Sequence, residues 1–76
     1  MLKMNKNNIN KYDLLIQEGI KFANHQEYTK AENNFLKAIK TNKKNYQAYI
    51  NLSNIYIIQR KNIKCVNILL TYLSKY

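Results

Sequence analysis

The sequence predicts an all-α chain of two antiparallel helix hairpins, four helices in all. Three observations predict it. The 76 residues contain no proline and a single glycine, Gly19, whereas strand-rich or loop-rich domains need many turn residues. Apolar residues recur at steps of three and four in four separate runs. The breaks between runs are short and polar, and short connections make neighbouring helices antiparallel. A hydrophobic content of 46% is enough for a core, so the composition is not that of a disordered chain. A domain near this size buries only roughly 60% of its unfolded surface, so few core positions are dispensable.

Each element follows from its own pattern. Residues 1–11 are polar and asparagine-rich and are expected to form a flexible basic arm. From Tyr12, the residues Leu15, Gly19, Phe22 and Ala23 lie along one helical face, with Ile16 and Ile20 beside them. "NHQE" at 24–27 interrupts the run. Tyr28, Ala31, Phe35, Ala38 and Ile39 form the second stripe, and "TNKKN" at 41–45 breaks it. The third run extends from Tyr46 to about Gln59, with Tyr49, Leu52, Ser53 and Tyr56 on one face. After "RKN" at 60–62, Cys65, Leu69, Tyr72 and Leu73 make the fourth stripe, the face expected to meet its own hairpin.

A shift of 34 residues superimposes the stripes. Leu15 meets Tyr49, Gly19 meets Ser53, Phe22 meets Tyr56, Ala31 meets Cys65 and Phe35 meets Leu69. Tyr12/Tyr46, Ile16/Ile50, Lys30/Lys64, Asn33/Asn67 and Leu36/Leu70 are identical pairs. Small residues align with small ones and large with large. The units are therefore residues 12–45 and 46–76. Two helices approach closely only where side chains are small. Gly19 and Ala31 are thus expected at the crossing of the first hairpin, between Phe22 and Phe35. Ser53 and Cys65 are expected to do the same in the second, with Ala38 admitting the next hairpin.

Period, register and residue sizes together resemble the tetratricopeptide repeat, a 34-residue helix–turn–helix unit. The first unit reads Leu15, Glu18-Gly19, Phe22, then Ala31, Phe35 and Ala38; the second reads Tyr49, Leu52-Ser53, Tyr56, then Cys65 and Leu69. The resemblance covers residues 12–76 and implies a right-handed α–α superhelix fragment. Three departures stand out. Lys43 takes the place of the proline that often ends the unit, which implies a looser turn. Glu18 takes the place of a leucine and is expected to face water. Tyr72 stands where the first unit has the small Ala38, which fits an array ending at the second repeat.

The family is a general protein-binding scaffold, so the resemblance implies a protein–protein interaction module, a scaffold or adaptor. Its concave groove is lined by the first helix of each hairpin. The implied residues are Asp13, Ile16, Gln17, Ile20 and Asn24 in the first unit. In the second they are Gln47, Ile50, Asn51, Asn54 and Ile58. Amides can hold a peptide backbone while isoleucines give side-chain pockets. Ile16 and Ile50 are equally readable as partial cover for the core. A subclass that clamps chaperone tails wants Lys and Asn where this chain has Ile16 and Ile20; only Asn51 fits, so that ligand is disfavoured.

The last helix, "NIKCVNILLTYLSK", leaves Ile63, Val66, Leu70 and Ile68 on surfaces that a third hairpin would cover. Helical arrays of this kind need about three repeats or a polar cap. Self-association through this helix, or docking of a partner there, is the expectation.

The formal net charge is +9, and residues 46–76 carry Arg60, Lys61, Lys64 and Lys75 without any acid. That leaves RNA or another anionic surface as the alternative partner. Against it, Lys30, Lys37, Lys61 and Lys64 map to second helices, away from the groove. Lysine, asparagine, isoleucine and tyrosine have codons rich in A and T, which weakens a functional reading of the lysines.

Other chemistry is poorly represented. His25 is the one histidine and Cys65 the one cysteine, which is too little for a cysteine-based zinc site, a triad or an internal disulfide. The carboxylates Asp13, Glu18, Glu27 and Glu32 show no paired spacing, and no glycine-rich phosphate loop occurs. No enzymatic activity and no cofactor are expected. The N-terminus has no apolar signal-peptide core, and no run approaches the ~18 apolar residues of a membrane span. A soluble cytoplasmic protein is the expectation.

Overall fold

The computed structural model describes residues 10–76. Four helices follow one another: α1 (Lys11–Asn24), α2 (Tyr28–Thr41), α3 (Tyr46–Ile58) and α4 (Asn62–Lys75). Most of the arm expected over residues 1–11 lies outside the described residues. Its last two positions are structural: the Asn10 side chain caps α1 by accepting from Asp13 N–H at 2.8 Å, and Lys11 opens the helix. Asn45 caps α3 in the same way, accepting from Gln47 N–H at 2.9 Å. Each cap satisfies one of the donors that a helix start leaves free.

Consecutive helices pack as antiparallel pairs. In the first hairpin Lys30 sits over the Phe22 ring at 5.6 Å, Phe35 lies under Gly19, and Asn34 donates to the Leu15 carbonyl at 3.3 Å. Contacts moving forward along α1 thus move backward along α2. The second hairpin repeats the arrangement, with Lys64 5.7 Å from the Tyr56 ring centre and the Tyr49 and Tyr72 rings 4.9 Å apart. α2 packs on α3, and α1 meets α3 directly, running in the same direction. The described chain is a slab of 47 × 31 × 13 Å, elongated enough to leave broad faces open.

The expected crossing is present. Gly19 and Ala31 are buried, and a Cβ built on Gly19 would stand 2.5 Å from Phe35 Cε1. That is closer than carbon atoms tolerate, so only glycine admits the ring. Ala31, Phe35, Ala38, Ala48, Leu52, Ile55 and Cys65 form one cluster with Tyr12, Ile16 and Tyr56. Leu69 packs against it, as expected. Leu73 does not: it is 73% exposed, because no further helix lies along its side of α4. Ile68, expected on the open surface, is instead partly buried against the cluster.

Both hairpin turns use one device. Gln26 and Arg60, 34 residues apart, have φ of 64° and 61°, in the left-handed region. Behind them Glu27 N–H returns to the Phe22 carbonyl at 2.8 Å and Lys61 N–H to the Tyr56 carbonyl at 2.7 Å, closing each helix end. A left-handed conformation strains an ordinary residue by roughly 1–2 kcal/mol, partly offset by glycine's larger entropy loss on folding. Gln26→Gly and Arg60→Gly are therefore each expected to raise stability by about 0.5–1 kcal/mol. Thermal melts test this; lower melting in both variants would rule out strain at these turns.

The turn between units, where Lys43 stands for proline, is held from outside. Tyr72 donates to the Lys44 carbonyl at 2.9 Å while its ring lies between those of Tyr49 and Tyr76. A large residue at this position thus latches the inter-unit turn onto α4.

Three tyrosines are held protonated by burial. The Tyr56 hydroxyl is pushed up to about 12, first by burial and then by its 2.8 Å hydrogen bond to Glu32 and that carboxylate's charge. Tyr12 and Tyr49 are raised as well, chiefly by burial. A folded state that keeps protons which the unfolded chain releases near pH ~10 loses stability as pH rises. Stability should fall between pH 10 and about 12, and Tyr56→Phe should fall less steeply. Urea titrations across that window check it; parallel slopes for the two chains would contradict it.

Candidate functional site

The caps at Asn10 and Asn45 fix which side of α1 and α3 faces outward. On α1 the outward arc carries Asp13, Gln17, Ile20 and Asn24, all exposed. On α3 it carries Gln47, Ile50, Asn54 and Ile58, all exposed, with Asn51 half-buried at its edge. The two helices lie side by side and parallel, so amide and isoleucine side chains alternate over two adjacent helix faces. Asp13 is the one ionised side chain among these residues.

Ile16 is the exception. It was expected in the groove, yet it is 4% exposed and belongs to the core. Its place is at the joint between hairpins, because α3 lies against that side of α1. Tyr12 beside it accepts a hydrogen bond from Ala48 N–H at 3.0 Å, so the first turn of α3 is capped by a side chain of α1. Ile57 is a surface residue that the sequence reading passed over. It is exposed and lies seven residues after Ile50, one helical stripe along, and that spacing was the available signal.

On α4, Ile63, Val66 and Leu70 are exposed as expected, and Leu73 joins them. The basic side chains lie elsewhere than on the amide–isoleucine arc. Lys30 pairs with Glu27 at 2.9 Å, an exposed ion pair of small energetic weight, and Lys64 covers the Tyr56 ring. Glu18 faces solvent, as expected, and accepts from the Asn34 amide at 3.3 Å. His25 donates through Nδ1 to the Lys21 carbonyl at 2.8 Å, and Cys65 is buried with a free thiol. Among the described residues no three His, Cys, Asp or Glu side chains gather where they could hold a metal ion. None of the described helices is long and apolar enough to cross a membrane.

No protein-family model, curated protein or solved structure matches this chain. The geometry itself defines a class: an all-α chain of two antiparallel helix hairpins related by a shift of 34 residues.

Proposed function

We propose that this chain is a protein-interaction module of the tetratricopeptide type, holding an extended peptide or a partner helix on the outward arcs of α1 and α3. The observation that carries this reading is the surface itself. Ile20, Ile50, Ile57 and Ile58 stand exposed among Gln17, Gln47 and Asn54, with no basic side chain on the arc. Exposed isoleucines flanked by amides supply apolar pockets and backbone hydrogen bonds together. The paired glycine-and-alanine crossing and the recurring left-handed turns support the family assignment.

An anionic partner is the competing reading, supported by the acid-free second half. A pulldown with and without nuclease separates the two, using the wild-type chain and an Ile20→Glu/Ile58→Glu variant. Protein capture that survives nuclease and is lost in the variant is expected. Capture that nuclease abolishes, and that weakens by about 0.9 log units per phosphate contact for each decade of salt, would transfer the function to nucleic acid.

A further inference from the structure

Comparing the exposure of equivalent residues shows what one hairpin covers on the other. Tyr12 is 4% exposed and its equivalent Tyr46 is 64% exposed. Ile16 is 4% exposed and Ile50 is 45% exposed. Ala23 and Ile39 are partly buried, whereas their equivalents Ile57 and Leu73 stand largely in solvent. The same chemistry is thus covered in the first hairpin and open in the second. The cover in the first hairpin is α3, through Ala48, Leu52 and Ile55, all buried. Tyr12 completes the joint by accepting from the Ala48 N–H in the first turn of α3.

We propose that the open face of the second hairpin, carrying Tyr46, Ile50, Ile57, Val66 and Leu73, docks an acidic amphipathic helix of a partner protein as the first hairpin docks α3. The incoming helix presents a small residue, then large apolar residues four and seven positions on, the spacing of Ala48, Leu52 and Ile55. Its first turn directs an N–H to the Tyr46 hydroxyl. The residue facing Tyr72 must be small, because Tyr72 fills the space that Ala38 leaves open in the first hairpin.

Charge and shape decide against a second copy. A head-to-tail copy would present Leu14, Glu18 and Lys21, the equivalents of Ala48, Leu52 and Ile55. That places a large residue where a small one is required and two charges where apolar side chains are required. Face-to-face pairing would bring together two acid-free surfaces bearing Arg60, Lys61, Lys64 and Lys75, which repel. The same four charges attract an acidic helix. This face is separate from the α1–α3 arc of the proposed peptide site, with Ile50 and Ile57 on their shared border.

The test uses a synthetic peptide of residues 45–59, held helical by a lactam bridge, with Gln47, Asn54 and Ile58 replaced by glutamate. Backbone NMR of the full chain follows its titration. Shifts centred on Tyr46, Ile57, Val66 and Leu73 are expected. Val66→Glu/Leu73→Glu should weaken binding at least about tenfold. Ile20→Glu, on the peptide arc alone, should leave it unchanged, and so should loss of that arc's own ligand. A control peptide with Leu52→Glu should not bind. No binding up to about 1 mM, or shifts confined to Gln17, Ile20 and Asn24, would overturn the proposal. A dimer of the unliganded chain, dissolved by Val66→Glu/Leu73→Glu in sedimentation, would overturn the choice of partner in favour of a second copy.

Discussion

Phe35→Ala is expected to lower folding stability by about 3–5 kcal/mol. The ring is 1% exposed, sits under Gly19 and is central to the one core cluster. A domain of this length is stable by roughly 4–11 kcal/mol in total, so the variant should be partly unfolded at moderate temperature. The partner substitution has the opposite geometry. Glycine to alanine within a helix normally gains about 1 kcal/mol. At Gly19 the new methyl would overlap a ring that is packed on all sides, and overpacking costs roughly 1–3 kcal/mol. Gly19→Ala should therefore be destabilising, and Gly19→Val more so. In a Phe35→Leu background the overlap is relieved and Gly19→Ala should turn favourable. Urea unfolding of the four chains of this cycle measures the coupling. A stabilising Gly19→Ala in the wild-type chain would contradict the crossing.

Leu52→Ala should lower stability by about 2–5 kcal/mol. Leu52 is fully buried on the side of α3 that meets the first hairpin, in the cluster that contains Tyr12 and Ile16. Its equivalent in the first hairpin is Glu18, which faces solvent. Glu18→Ala should change stability by less than about 1 kcal/mol, although it removes an acceptor of Asn34. The contrast separates a position that joins two hairpins from the same position at an uncovered end. Loss of the joint should also let the hairpins unfold separately, seen as a shallower dependence on urea. Equal effects at the two positions would mean that α3 does not hold the units together.

The helices, their boundaries and the crossing were legible because they depend on local period and size. Leu15, Gly19, Ala31 and Phe35 lie three or four residues apart on their helices, and a 3.6-residue turn places such positions on one face wherever the helix sits. The left-handed residues were not legible. Neither Gln26 nor Arg60 belongs to the types that favour positive φ, so nothing local marks them. The reversal there is imposed by the helices that follow packing back. Asn34 likewise reads as an ordinary polar helix residue until α1 supplies the Leu15 carbonyl and the Glu18 carboxylate.

The candidate site divides in the same way. The amide and isoleucine arc of α3 followed from its spacing. Ile16 and Ile50 did not, being the same residue in the same register on equivalent helices. One is enclosed because α3 lies beside it, and the other is open because no described helix does. Ile39 and Leu73 part for the same reason. By itself the sequence determined four helices, their pairing into hairpins and the small-residue crossings, since those follow from backbone period and side-chain volume. Tertiary structure alone decided which of two equivalent apolar faces became core and which stayed surface, because burial is a property of the neighbour a side chain meets and not of the side chain.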